Sequence, residues 1–240
     1  MLASLAALLG KMAATQRLVG IAPMAYFRSL PSGAAAAAGQ LEVLASFGGP
    51  PDSLRRLEQQ VEQQISALVP AGEQEDRRAE AIGRAASMAW PDAELRSLTA
   101  SRWRFDYLLP ALAAAARGDT SAMKAAADTI QRLREIWPPA HVSTDALLPE
   151  AHLMRRAGRA DLAAVWLDEW LGALRFSQPV YSPTNAALLV RVMVLRADLA
   201  AAAKDRDTAR RWASAVVELW ADADAPLQPT VRRMRQLLAP

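Results

Sequence analysis

Apolar and small residues recur along this chain at intervals of three and four, which places them on one face of an α-helix. In residues 160–175 the apolar positions form one broad stripe; they are Leu162, Ala163, Trp166, Leu167, Trp170, Leu171 and Leu174. A stripe this wide fits a helix that contacts neighbours on both sides. Because no segment alternates between apolar and polar residues over the length of a strand, the pattern predicts an all-α protein.

Prolines, glycines and short polar segments divide this pattern into separate helices. The predicted helices span 2–15, 16–29, 33–46, 52–68, 75–89, 95–117, 119–136, 145–157, 160–175, 184–203, 206–220 and 226–238. The strongest break is the Gly- and Pro-rich segment 48–53, where Asp52 or Ser53 is expected to cap the following helix.

A helix-pair signature recurs in the second half of the chain. Its polar breaks centre on Gly118, Gly158 and Lys204, which are 40 and 46 residues apart. Small residues precede each break by seven positions and mostly follow it by five; the six positions are Ala111, Ala151 and Ala197, then Met123, Ala163 and Ala209. Small side chains there let paired helices approach closely. The signature predicts a right-handed array of stacked helical hairpins.

These positions resemble tetratricopeptide repeats, which place small residues at the same two points of each helix pair. The stretch from Leu199 to Leu238 is similar to C-terminal tetratricopeptide regions of proteins from high-GC bacteria. Glu150 and Arg196 depart from the pattern, since an apolar residue is usual at both positions. The resemblance implies an α-α superhelix of about eleven or twelve helices. It divides the chain into an irregular helical region at 1–99 that could hold degenerate repeats, tetratricopeptide-like repeats at 100–225, and a capping helix at 226–240.

The same register predicts a partner-binding groove, because the first helix of each tetratricopeptide pair lines the concave surface. The predicted groove residues are Phe105, Leu108, Leu112, His152, Arg155, Arg156, Arg191, Val194 and Asp198. This mixture of apolar and arginine side chains suits a peptide that carries acidic groups. The hypothesis predicts that Arg155→Glu combined with Arg191→Glu abolishes partner capture without unfolding the chain.

The composition argues against most catalytic and metal-binding chemistry. The chain has no cysteine, and its only histidines, His141 and His152, stand eleven residues apart with no carboxylate at metal-ligand spacing. No nucleophile elbow and no phosphate-binding glycine loop is present. We therefore predict no catalytic residue, no metal and no cofactor.

The charge pattern gives little support to a nucleic-acid partner. The net charge is only +3, from 28 basic and 25 acidic residues. Acidic residues stand close to the arginine clusters, which favours solvated helix faces and ion pairs over contact with a polyanion. We expect a protein or peptide partner rather than nucleic acid.

The first residues are apolar, but they lack the basic segment of a signal peptide, and the apolar run ends at Lys11. An amphipathic first helix is the prediction. No run reaches the roughly 18–20 apolar residues of a membrane span. Together with the absence of cysteine, this suggests a cytoplasmic protein.

The sequence therefore predicts a non-enzymatic interaction scaffold or an accessory subunit of a larger complex. An alternative is a sensor or regulatory domain that is separated from a signalling effector, such as a kinase or a transcription regulator. A nucleic-acid-binding helical protein and an enzyme are further alternatives. The pattern specifies neither the partner nor the oligomeric state.

Overall fold

The described part of the chain is entirely helical. The computed structural model describes residues 1–21, 27, 30–91, 107–174 and 182–239, and no strand occurs among them. Its α-helices, in chain order, are α1 (Leu2–Leu8), α2 (Met12–Ile21), α3 (Ser32–Ser46), α4 (Pro51–Leu68), α5 (Gln74–Ala89), α6 (Leu108–Ala116), α7 (Thr120–Ile136), α8 (Thr144–Arg156), α9 (Ala160–Ala173), α10 (Pro183–Ala202), α11 (Arg206–Leu219) and α12 (Gln228–Leu238). The prediction of an all-α protein is confirmed for these residues.

The predicted boundaries hold within two residues for most of the helices. They fail at the N-terminus, where the predicted helices 2–15 and 16–29 are replaced by α1 and α2, with a turn at Gly10 between them. Gly10 has a φ of +71°, and a Cβ there would lie 2.6 Å from the Cβ of Ala223. A contact with Ala223, more than two hundred positions away, thus fixes this break.

The starts of α4 and α6 also differ from the predicted boundaries. α4 begins at Pro51, and neither Asp52 nor Ser53 caps it with its side chain, so that prediction was wrong. Asp52 instead forms an ion pair with Arg55 one turn later. Of the predicted helix 95–117, residues up to 106 lie outside the described residues, and α6 begins at Leu108.

The three predicted breaks are confirmed. Gly118, Gly158 and Lys204 all have positive φ values, of 68°, 83° and 63°, and each ends the first helix of a pair. Asp119 and Asp205 then cap the second helix, because the carboxylate of each accepts a hydrogen bond from the backbone N–H three residues later, that of Ala122 and of Thr208.

The small residues predicted for the hairpins lie where the paired helices meet. α6 packs on α7, α8 on α9 and α10 on α11. All six side chains are buried: Ala111, Ala151, Ala163 and Ala197 are fully enclosed, and Ala209 and Met123 are nearly so. Close packing of helix axes through alanine explains the spacing seen in the sequence.

The two residues that depart from the repeat pattern connect neighbouring hairpins. Glu150 on α8 binds Arg134 on α7 at 2.9 Å. Arg196 on α10 donates two hydrogen bonds to the carboxylate of Asp168 on α9, at 2.7 and 2.8 Å. Each of these charged residues stands where an apolar residue was expected, and each forms an ion pair with a residue of the preceding hairpin.

Contacts between distant parts of the chain close the molecule. In a linear solenoid each repeat contacts only its neighbours, whereas α1 packs on α10 and α3 packs on α10 as well as on α2, α4 and α5. The backbone N–H of Ala13 donates to the Asp224 carboxylate at 2.8 Å, and that of Asp224 donates to the Gly10 carbonyl at 3.0 Å. These contacts join the N-terminal hairpin to the turn before α12.

The core runs through the middle of this arrangement. α3, α8 and α10 are its most enclosed helices, with buried residues along most of their lengths. Trp166, Trp170 and Trp220 are buried, as their positions on apolar stripes predict, and Trp212, for which the same prediction holds, is only partly buried. Trp90 is also buried, whereas Trp137 is exposed. Across the described ranges, no helix has both the length and the apolar character that crossing a membrane requires.

Candidate functional site

A cavity of about 430 Å³ opens between segments from both ends of the chain. It is bordered by the end of α3, the second half of α8 and the second half of α10, and by the end of α11 and α12 with the turn before it. Its lining residues are Phe47, Gly48, His152, Arg155, Arg191, Val194, Leu195, Asp198, Trp220, Pro226, Leu227, Thr230 and Arg233. A volume of this size accommodates a small ligand or a few side chains of a partner.

The cavity brings together five of the nine residues predicted for the groove. They are His152, Arg155, Arg191, Val194 and Asp198. The helical register explains this grouping, because positions three or four apart on α8 and on α10 share a face. Since α8 packs on α10, the two faces meet.

The other four predicted groove residues do not join the cavity. Leu108 and Leu112 are fully buried in the core, so the prediction that they face a groove is corrected. Both residues belong to the apolar stripe of α6, which packs on α7 and α8 and is therefore not open to a partner. Arg156 points to Trp90, with its guanidinium carbon 4.9 Å from the ring centroid. Phe105 lies outside the described residues.

Arg191 is a buried structural cation as well as a lining residue. Its Nη1 donates hydrogen bonds to the carbonyls of Met88, at 2.6 Å, and Ala45, at 3.0 Å. Those carbonyls belong to the last turns of α5 and α3, where the helix dipole is negative and a cation is stabilising. Arg191→Glu would place a carboxylate against these carbonyls, so we expect this substitution to destabilise the fold.

The remaining charges at the cavity are divided between one ion pair and one unpaired arginine. Arg233 on α12 forms an ion pair with Asp198 on α10. Arg155 is exposed and has no ion pair or hydrogen bond with any described residue. Three arginines against one aspartate give the cavity a positive charge, and Arg155 is the cation available to an incoming anion.

The pKa of His152 is lowered in this buried, positively charged environment. Burial lowers its pKa well below the ordinary 6.5, and the charges of Arg191, Arg155 and Arg156 lower the pKa further. The imidazole is therefore neutral at pH 7. It meets the Trp90 ring edge-on at 6.1 Å between centroids, and its Nδ1 is buried with no hydrogen-bond partner among the described residues.

Aromatic and C-terminal residues complete the cavity, and repeat-based reasoning missed them. The rings of Phe47 and Trp220 lie 6.3 Å apart, and Trp220 is almost fully enclosed beneath the Gly10 turn. Thr230 and Arg233 come from α12, which the sequence predicted only as a cap. Arg233 carried no signal of a site in the sequence, because a lining arginine cannot be told from the other arginines of a solvated helix face by pattern alone.

No match was found when the chain was compared with protein-family models, with curated proteins and with solved structures.

Proposed function

We propose that this chain is a non-enzymatic interaction module, built of tetratricopeptide-like helical hairpins, that holds an acidic segment of a partner protein in the cavity. The partner would be another subunit or a client of the complex in which the chain serves as a scaffold. The role as a sensor or regulatory domain remains the alternative proposal, and the same cavity would serve it.

The observation that carries the proposal is the unpaired charge of Arg155 at the mouth of a preformed cavity. Arg191 is committed to two backbone carbonyls and Arg233 to Asp198. Arg155 alone of the three has no such partner among the described residues. A guanidinium binds a carboxylate through two parallel hydrogen bonds, which gives both affinity and orientation.

The chemistry around His152 supports a binding role over a catalytic one. Among the described residues His152 makes no hydrogen bond to a carboxylate, and its imidazole is surrounded by arginines. A general base in a hydrolytic site is normally oriented by a carboxylate and bonded to a nucleophile. The arrangement favours binding of an anion, and it offers His152 no carboxylate among the described residues to orient it for proton transfer.

Affinity purification with one charge-reversed variant tests this proposal. Arg155→Glu places a negative charge at the cavity, whereas Arg232→Glu makes the same change on the exposed face of α12, outside the cavity. We expect wild type and Arg232→Glu to recover the same stoichiometric protein from the source cells. We expect recovery with Arg155→Glu to fall by roughly tenfold or more, as for loss of a desolvated charge pair.

Far-ultraviolet circular dichroism and thermal unfolding would show that both variants are folded. Equal recovery of the partner by Arg155→Glu and Arg232→Glu would contradict the proposal. Failure of the wild type to recover any stoichiometric protein would also contradict it.

A further inference from the structure

A second, apolar recess borders the cavity. It has a volume of about 340 Å³ and lies between α2, the end of α3, the first turns of α4 and the turn before α12. Met12, Leu44, Leu57, Pro50 and Pro226 supply its apolar walls. Gln16, Ser53, Arg56 and Gln60 supply its polar rim.

The two recesses share their boundaries. Pro226 lines both of them. The turn that follows α3 also serves both, since Phe47 and Gly48 face the cavity and Pro50 faces the apolar recess. One bound segment that crosses these two turns can therefore reach both recesses.

The contacts at the N-terminus hold the shared boundary in place. The Ala13 N–H and the Gly10 carbonyl are both bonded to Asp224, two residues before Pro226, and Lys11 donates to the Asp222 carbonyl. Because α2 carries Met12 and Gln16 of the apolar recess, the same contacts fix its position relative to the cavity. The two recesses thus form one continuous surface whose parts are joined by these hydrogen bonds, and such preorganisation lowers the entropic cost of binding.

We propose that the partner segment carries two anchors: an acidic side chain that enters the cavity beside Arg155, and an apolar side chain that fills the recess between α2 and α4. The proposal rests on the proposed function and adds the sequence preference of the bound segment. The positive charge of the cavity selects the acid, and the walls of Met12, Leu44 and Leu57 select the apolar side chain. Each anchor is expected to contribute its own share of the affinity, because the two recesses hold different side chains of one segment.

Selection from a library of random dodecapeptides displayed on phage tests the preference directly. The bait is the full chain, and binding of the enriched peptides is then measured by fluorescence anisotropy. We expect the enriched peptides to share one Asp or Glu and one large apolar residue at a fixed spacing. Replacing either residue by alanine should weaken binding by roughly tenfold or more, in line with loss of an interface anchor.

Variants of the protein assign each anchor to its recess. Arg155→Glu should abolish the contribution of the acidic residue, and Leu57→Gln that of the apolar residue. Gln60→Glu is a second variant of the apolar recess; Gln60 is exposed, so its substitution leaves the core unchanged. Arg232→Glu and Leu68→Gln are the matched controls, since Leu68 is 53% exposed at the far end of the same helix as Leu57.

The possible outcomes separate the two proposals. Peptides that lose affinity with Arg155→Glu but bind Leu57→Gln and Gln60→Glu like wild type would overturn the two-anchor inference and leave the proposed function standing. Peptides that bind Arg155→Glu like wild type would overturn both. A library that yields no enriched sequence would overturn the inference, because a preformed pair of recesses predicts selection.

Discussion

At the scale of single residues, a buried carboxylate links two hairpins. Glu150 is fully buried and accepts hydrogen bonds from the Tyr107 hydroxyl, at 2.5 Å, and from Arg134, at 2.9 Å. Burial raises the pKa of Glu150, and the charge of Arg134 and the hydrogen bond from Tyr107 oppose this shift only in part. Burial and the adjacent carboxylate also raise the pKa of Tyr107, which keeps its hydroxyl protonated. Arg134 and Tyr107 therefore offset only part of the cost of burying this carboxylate.

Two substitutions at Glu150 distinguish hydrogen bonding from charge. Glu150→Gln keeps an acceptor oxygen, so we expect the free energy of unfolding at pH 7 to change by no more than about 1 kcal/mol. Glu150→Leu removes the acceptor as well as the charge and leaves the Tyr107 hydroxyl and the buried Arg134 guanidinium without the oxygen they donate to, so we expect a loss of about 3–5 kcal/mol. Urea denaturation measures both values. A smaller cost for Glu150→Leu than for Glu150→Gln would contradict this account of the cluster.

The raised pKa of Glu150 also predicts how the stability of the protein changes with pH. A carboxyl group whose pKa is raised on folding contributes stability below its unfolded pKa, near 4.5, and that contribution is lost as pH rises through the folded value. The stability of wild type relative to Glu150→Gln should therefore fall as pH rises from 4.5 through that folded value. A relative stability that stays level above pH 4.5 and increases with pH below it would show instead that the pKa is lowered on folding.

At the scale of elements, the breaks at Gly158 and Lys204 depend on the left-handed backbone conformation of these two residues. Lys204 holds a left-handed conformation with a φ of 63°, which a side chain with a Cβ adopts at a cost of about 1–2 kcal/mol. Gly158 holds the same conformation at a φ of 83° without that cost, and a Cβ built there would meet no atom within 4 Å.

The two positions form a matched pair of tests. Lys204→Gly should raise the free energy of unfolding by up to about 1 kcal/mol, because it removes the conformational cost. Gly158→Ala should lower it by about 1 kcal/mol for the same reason, with no steric clash to add. Thermal or urea unfolding measures both. Destabilisation by Lys204→Gly would mean that side-chain contacts of Lys204 outweigh the backbone term.

The elements were largely predictable because their signals are local. The spacing of alanines around Gly118, Gly158 and Lys204 located three hairpins, and apolar stripes located the helices between them. The contacts that fix the break at Gly10 could not be predicted, because Ala223 and Trp220 lie more than two hundred positions further along the chain. The cap expected from Asp52 or Ser53 was wrong, because Pro50 and Pro51 start α4 one residue earlier.

At the scale of the whole molecule, the site is assembled by closure of the chain. Its lining residues run from Phe47 to Arg233, and contacts of α3 with α10 and of the Gly10 turn with Asp224 bring them together. Helical periodicity on α8 and α10 was enough to group His152, Arg155, Arg191, Val194 and Asp198. It could not show the walls from α3 and α12 or the structural role of Arg191, because these depend on contacts between distant segments.

The central claim is that Arg155 receives an acidic group of the bound segment. The most direct measurement is a charge swap, in which the enriched peptide and a version with its acidic residue replaced by lysine are each titrated against wild type and Arg155→Glu. The account predicts that each single change weakens binding by roughly tenfold or more and that the double change restores most of the affinity. If the two losses simply add in the double change, the acidic group does not contact Arg155 and the central claim is contradicted.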